Sequence, residues 1–366
     1  MNARVDAAAQ RQAYYDRIRA LHLAPLWEVL HALVPPEPAS ACAPHLWRYD
    51  ELRPHLMDSG PLISAAEAVR RVLILENPGL PGQSRITTSL YAGLQLILPG
   101  EVAPAHRHAQ SALRFVVEGR GAFTAVDGER ATMAPGDFII TPSWTWHDHG
   151  NARLDAGGEP VVWLDGLDIP MLAFFDAGFA EGHEAAEQPV LRPEGTSRAR
   201  WGAGLAPMRH AMAPVGGTSP LFSYPYERTR EALAALARAE PPDAWDGFRM
   251  RYVNPATGGW AMPTIGAFAQ WLPAGFAGRP TRATDATIYS VVEGRGRARI
   301  GRGERSIVLE FGPRDHFVVP SWHQLALEAD AAAPAVLFGF SDRPVQQALG
   351  ILREQRLGEP GAPTGS

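Results

Sequence analysis

The sequence holds a single cysteine, Cys42. One thiol cannot make an intramolecular disulfide, and cysteine-rich zinc modules are excluded with it. No apolar run reaches the length of a membrane span. The first residues, MNARVDAAAQRQAYYDRIRA, lack the apolar core of a secretory signal, so a cytoplasmic protein is expected. Net positive charge is missing too. Lys and Arg total 34 against 39 Asp and Glu, a formal net charge of −5. That argues against a general nucleic-acid binder, which needs a basic face. What is present in quantity is turn chemistry: 36 glycines and 33 prolines in 366 residues. With many short β-rich runs, this favours barrels or sandwiches over helix bundles, and the length allows two domains.

Residues 5–34 read as helical, with Tyr15, Ile18, Leu21, Trp27, Leu30 and Leu33 near helical spacing and Pro35-Pro36 ending the run. Such a helix packs on a barrel or docks on a neighbouring subunit. A second short helix is expected within 61–75, and strands dominate from Ser84. FVVEGRG and GAFTAVDGER read as a hairpin turning at Asp127-Gly128. Residues 180–245 are mixed, with one helical patch, TREALAALARA. The β pattern returns at Met250, and SDRPVQQALGILREQR reads as a closing helix. The expected division is a helical arm at 1–60, a first barrel at 61–180, a connection at 181–249 and a second barrel at 250–366.

An internal repeat organises the chain. Val116 to Gly121, VVEGRG, recurs as Val291 to Gly296, and PGDFIITPSW (135–144) recurs as PRDHFVVPSW (313–322). Within the first copy, His106 and His108 are two apart, so they point to one face of a strand, where His147 from a neighbouring strand can join them. The repeat is a control. His106 aligns with Thr281, His108 with Ala283 and His147 with Leu325. The second copy keeps the turn residues and loses the imidazoles, so the three histidines serve chemistry and not the fold. Three neutral imidazoles suit a divalent metal with positions left open for ligands. His316 and His323 fall in no ligand slot.

Arg114 lies six residues after His108, an even spacing that places it inside the barrel if the strand is regular. There it would pair with an anionic ligand or an internal acid. His149 is two residues past His147 and also points inward, to exchange a proton with a bound ligand or to hold the pocket. Asp165 orients a histidine or arginine, or serves the turn at Gly166. Gln95 hydrogen-bonds a ligand or fills the interior; Tyr91 and Trp146 wall a pocket or pack in the core. Glu118 repeats as Glu293, which marks it as scaffold.

Gly100-x5-His106-x-His108, Gly119, and Gly136-x5-Pro142-x4-His147-x3-Asn151 resemble the two cupin motifs, with Ala112 in the usual glutamate slot. TTSLYAGLQLILPGEVAPAHRH, WHDHGN, WLDGLDIP and RYVNPATGG extend the likeness along nearly the whole chain. The sequence resembles the bicupin ring-cleaving dioxygenases, above all those acting on gentisate; relatives act on salicylate or 1-hydroxy-2-naphthoate. The resemblance implies a mainly all-β bicupin, two tandem jelly-roll barrels with flanking helices. It implies Fe(II) on His106, His108 and His147. It implies O2-dependent cleavage between the carboxyl- and hydroxyl-bearing ring carbons, with maleylpyruvate as the product from gentisate. It implies that Arg70 contacts the substrate, although its neighbour Arg71 competes for the assignment, and that the chain forms a homo-oligomer, a tetramer. A cupin that senses an aromatic acid without turnover is the non-enzymatic alternative.

Overall fold

The computed structural model describes residues 2–208, 217–302 and 305–358. Met1–Ala39 form one compact unit, and a second begins at Ser40. In the first unit the expected single helical run is two helices, α1 (Asn2–Arg19) and α2 (Leu26–Leu33). Pro25, which lacks an N–H, starts the second, and His22 between them turns left-handed at φ 57°. Trp27 Nε1 donates to Tyr15 Oη at 2.9 Å, tying the two helices together. None of α2 is buried; Leu26, Trp27, Leu30 and Leu33 are exposed.

The second unit opens with β1 (His45–Trp47), α3 (Tyr49–Leu62), α4 (Ala65–Ala68) and β2 (Val72–Ile74). Then come β3 (Tyr91–Ile97), β4 (Val102–His108), β5 (Ala112–Glu118), β6 (Ala122–Val126), β7 (Glu129–Thr132), β8 (Phe138–Thr141), β9 (His147–Asn151) and β10 (Val161–Leu167). Next are α5 (Ile169–Phe174), β11 (Ala180–Gly182), α6 (Thr196–Trp201), β12 (Ser223–Tyr224), α7 (Tyr226–Ala239) and β13 (Phe248–Arg251). The second repeat supplies β14 (Gly266–Leu272), β15 (Thr281–Ala283), β16 (Thr287–Glu293), β17 (Gly296–Arg302), β18 (Arg305–Phe311), β19 (His316–Val319), β20 (Gln324–Ala329) and β21 (Ala335–Ser341). It ends with α8 (Arg343–Ala348) and β22 (Glu354–Arg356).

Each barrel is a six-stranded sheet facing a five-stranded one. The first has orders β12-β8-β5-β10-β3-β2 and β11-β4-β9-β6-β7; the second has β1-β19-β16-β21-β14-β13 and β18-β17-β20-β15-β22. Strand for strand the orders match, and this is the bicupin fold. Period-two alternation builds the layers. Leu113, Phe115, Val117, Phe138, Ile140, Val162 and Leu164 leave the first barrel on one face and join Ile288, Val336, Phe338 and Phe340 of the second in a shared core. Phe115 stacks on Phe338 at 4.1 Å. The alternate residues Val116, Ile139, Val161 and Trp163 turn into the first barrel. The second barrel's interior is filled by hydrocarbon and rings, with Tyr289 stacked on Phe317 at 4.8 Å.

The two barrels exchange edges. β1, which leads into the first barrel, pairs with β19 of the second; β12, which leads into the second, pairs with β8 of the first. The amides that follow repeat the pattern: Tyr49 N donates to Asp315 Oδ1 and Tyr226 N to Asp137 Oδ1, both at 2.9 Å. A second reciprocal clasp joins Thr264 Oγ1 to Asp168 Oδ2 (2.6 Å) and Ser89 Oγ to Asp342 Oδ2 (2.8 Å). Glu118 accepts Arg53 Nε at 2.8 Å and Arg314 Nη1 at 3.1 Å across the barrel junction, and Glu293 accepts Arg230 Nε at 3.3 Å. The repeated glutamate is therefore a strap between elements.

Some elements depart from expectation. The helix expected within 61–75 is only α4; Val72–Ile74 instead pairs with β3 as an edge strand. α3 lies almost wholly within the expected helical stretch 1–60 but outside the helical run at 5–34, and it holds Pro54 and Pro61. The closing helix stops at Ala348, Gly350 takes φ 70°, and Glu354–Arg356 pairs with β15. The hairpin at Asp127-Gly128 is β6 with β7, both turn residues having positive φ, while FVVEG forms β5 in the opposite sheet.

Candidate metal centre

The ligand strand carries a bulge. β4 and β9 pair Ala103 with His149, then shift by one residue so that His106 sits opposite His147. Without that extra residue near Pro104, His106 would oppose Trp146 and point away from the barrel. The shift restores His106 and His108 to the inward face, beside His147. Their ring centroids lie 5.2, 4.4 and 4.7 Å apart in pairs. One nitrogen from each falls within 4.8 Å of the others, a cluster able to hold a metal ion. β11 seals the outer edge of β4, with Gly182 opposite His106 and Ala180 opposite His108.

The donor chemistry fits a cation. His108 Nδ1 lies 2.8 Å from Gln110 O and His147 Nδ1 lies 3.0 Å from Thr145 O. A carbonyl only accepts, so each Nδ1 bears the proton and each Nε2 keeps a lone pair for the metal. His147 Nε2 is buried with no partner in the protein. For His106, Nδ1 faces Pro104 O at 3.3 Å and Arg70 Nη2 at 2.7 Å. Both arrangements cannot hold at once, because Nδ1 cannot donate to one and accept from the other. Arg70 only donates, so its 2.7 Å contact makes Nδ1 an acceptor and puts the ring proton on Nε2; a metal on Nε2 requires that proton to move to Nδ1, toward Pro104 O, and Arg70 Nη2 to draw back from Nδ1. Arg70 then retains Pro104 O and Val69 O at 3.0 and 2.8 Å. Burial, followed by the Arg70 charge and His108, holds His106 down at about 3. Burial lowers His108 to about 4 and drives His147 well below its usual value. All three are neutral imidazoles at neutral pH, the state that binds metal.

Around the triad the barrel is cationic. Arg114 is buried, donates Nη1 to Thr141 Oγ1 at 2.6 Å, and leaves Nε unpartnered, 3.7 Å from Asp165 Oδ1. It faces inward, though not for the reason expected: His108 and Arg114 are on strands of opposite sheets, so even spacing does not connect them. Asp165 also accepts Trp163 Nε1 at 2.9 Å. Burial pushes its carboxyl up to about 6 against the pull of Arg114, Trp163 and Arg70. Burial and then Arg114 lower Arg70 to about 9, still charged at neutral pH. Two guanidiniums beside one carboxyl favour an anionic guest.

His149 is fully buried, with Nδ1 3.0 Å from Thr124 Oγ1 and Nε2 unpartnered. Gln95 is buried opposite Trp163, on the inward face of β3. Tyr91 shares that face two pleats away and is half-buried. Trp146 does not wall the centre; it packs edge-on to His183 with Arg107 above it. Arg71 points elsewhere and pairs with Glu101, which leaves Arg70 as the arginine at the site. In the second barrel Tyr289 stands at the place of Arg114, stacked among phenylalanines. Sequence reading did not single out Thr141, Thr124 and Trp163, which hold the functional groups, although Thr141 lies in the repeated PGDFIITPSW and Trp163 opens WLDGLDIP. An apolar cavity of about 680 Å³ lined by Trp201, Leu221 and Tyr252 shares no residue with this centre.

Residues 93–167 match the cupin domain family. Over 347 residues the chain is 54% identical to gentisate 1,2 dioxygenase 1 of Aquipseudomonas alcaligenes, covering 95% of this chain and 96% of that protein. It is 41% identical over 342 residues to a gentisate 1,2-dioxygenase from a Streptomyces species, covering 91% and 92%. The crystal structure of salicylate 1,2-dioxygenase from Pseudoaminobacter salicylatoxidans, in adducts with gentisate, is similar at a TM-score of 0.87. It is 34% identical, with 96% of this chain and 94% of that one covered.

Proposed function

Because this chain belongs to the gentisate 1,2-dioxygenase family of cupin proteins, we propose that it cleaves gentisate with O2. The ring bond between the carboxyl- and hydroxyl-bearing carbons breaks, both oxygen atoms enter the product, and maleylpyruvate forms. The observation that carries this reading is the convergence of His106, His108 and His147 beside two arginines. His106, His108 and His147 would hold the metal, Fe(II) in this reading. A redox-active ion supplies the electron traffic between ring and dioxygen that zinc lacks.

The chain's own groups bind and orient the acid. Arg114 receives the carboxylate on the side of its guanidinium that Thr141 and Asp165 do not take, a charge-assisted contact worth more in this buried setting than at a surface. Asp165 keeps that guanidinium in place. Arg70 adds a second positive charge on the carboxylate side. His149 meets the substrate hydroxyl through Nε2, and Gln95 and Tyr91 bound the ring. The second barrel, with rings in place of the ligands, acts as structural support. The division into an arm at 1–60, barrels at 61–180 and 250–366 and a connection at 181–249 is part of the same reading. So are a cytoplasmic location and a homotetramer in which the exposed α2 face is covered.

An oxygen electrode tests the activity. Protein loaded anaerobically with ferrous iron should consume O2 on addition of gentisate, with one maleylpyruvate formed per O2. No uptake by freshly loaded protein would remove the assignment. Salicylate is the second substrate to try, since a salicylate dioxygenase shares the fold at 34% identity. It lacks the electron-donating 5-hydroxyl and should react more slowly. Equal rates would make this a salicylate-type enzyme.

A further inference from the structure

We propose that Thr124 is a positioning residue whose hydroxyl donates to His149 Nδ1 and thereby fixes His149 as a hydrogen-bond donor, through Nε2–H, toward the bound aromatic acid. This rests on the reading that His149 faces substrate.

Thr124 and His149 are directly opposed on β6 and β9. Both are wholly buried, and Oγ1 lies 3.0 Å from Nδ1. The same hydroxyl lies 3.5 Å from Met133 Sδ. It has one proton and two possible acceptors. The alternative network, Nδ1–H to Oγ1 and Oγ1–H to Met133 Sδ, adds only a weak sulfur acceptor at 3.5 Å, and the hydroxyl proton is assigned to the stronger acceptor, His149. The ring proton must then reside on Nε2, which no protein group meets. Had the hydroxyl turned to Met133, Nδ1 would donate to Oγ1 and Nε2 would present a lone pair.

The contrast with His147, on the same strand and the same face, makes the point. Its Nδ1 meets the Thr145 carbonyl at 3.0 Å, which can only accept, so its Nε2 offers a lone pair suited to a cation. Two residues on, the carbonyl is replaced by a hydroxyl able to donate, and the outward nitrogen becomes a donor suited to an anion. One strand thus presents opposite tautomers to a metal and to a phenol or carboxylate oxygen. In this arrangement His149 does not act as a base toward the substrate.

The direct measurement is nitrogen NMR of 15N-histidine-labelled protein loaded with diamagnetic zinc, with His149 assigned from the spectrum of His149→Gln. His149 should show an unprotonated Nδ1 and a protonated Nε2. A proton on Nδ1, alone or together with Nε2, overturns the proposal. In the iron-loaded enzyme, Thr124→Val keeps the shape and removes the donor; kcat/KM for gentisate should fall roughly three- to tenfold, the effect of one neutral hydrogen bond. Thr124→Ser should restore it. A valine variant as fast as wild type also counts against the role. If wild-type protein never consumes O2, the functional reading fails, while the NMR result still decides the tautomer.

Discussion

A histidine ring has two nitrogens, and what each one meets decides what the residue can do. In the triad, one nitrogen of His108 and of His147 is tied to a carbonyl, which frees the other for a metal. His106→Ala should therefore abolish metal retention, measured by metal analysis after desalting, and abolish turnover with it. The fold should survive, because Thr281 occupies the equivalent place in the second barrel without harm. Loss of soluble protein would mean that the imidazole is needed for folding. His316 is the opposite case. It is fully buried, neither nitrogen has a partner, and burial alone lowers it to about 3. Its counterpart in the first repeat is Phe138. A buried histidine held neutral stabilises the fold less as pH falls, since the unfolded chain takes up the proton near pH 6.5 and the folded one does not until about 3. Wild type should lose stability to His316→Phe on the order of 2 kcal/mol more at pH 5 than at pH 8. Urea midpoints of the metal-free proteins at the two pH values measure this, and parallel pH profiles would refute it. The other histidines are common to both proteins and cancel.

At the scale of elements, the repeated motifs proved to be geometry. Gly119 has φ 85°, and a Cβ there would sit 2.1 Å from Pro160 O; Gly294 has φ 77° and would meet Pro334 O at 2.1 Å. Backbone cannot yield as a flexible side chain does. Gly119→Ala should cost more than about 3 kcal/mol or prevent folding. Gly82 also has positive φ, at 74°, but nothing lies within 4 Å of its Cβ position. Gly82→Ala should cost only about 1–2 kcal/mol, the left-handed penalty alone. Similar melting temperatures for the two variants would contradict the steric account. The tryptophans of the repeated PSW are likewise both left-handed at φ 60°, with their amides bonded to His108 O and Ala283 O. Period-two alternation and these turns made the barrels legible in the sequence. The three ligands were legible because the repeat lacked them. The bulge at Pro104 was not, since one extra residue leaves no pattern, and without it the simple parity rule would not have set His106 opposite His147. Nor was the exchange of β1 and β12, because short edge strands carry no signal of which sheet they join. The limits of α3 were hidden by its own prolines, and Thr124 and Thr141 look like any strand threonine.

The whole molecule uses duplication unevenly. Two barrels share one core and exchange edge strands and clasps, so neither is complete without the other, yet only one retains the chemistry. Filling the second interior with Tyr289, Phe268 and Phe317 secures a rigid partner for the sheet that carries Arg114 and Asp165. Residues 1–39 form a compact unit of their own. Its α2 exposes Leu26, Trp27, Leu30 and Leu33, a run of large apolar side chains that a solvated surface does not favour. Burying such a face would contribute about 25 cal/mol for each Å² removed from water, enough over one helix to decide an assembly. Deleting residues 2–39 should therefore lower the number of chains per particle found by light scattering in solution. Metal content per chain should stay unchanged, since every candidate ligand and its carbonyl partner lies beyond residue 100. A truncated protein of undiminished oligomeric order would show that the barrels assemble without the arm. One that lost its metal as well would show that assembly is what keeps the metal centre in shape.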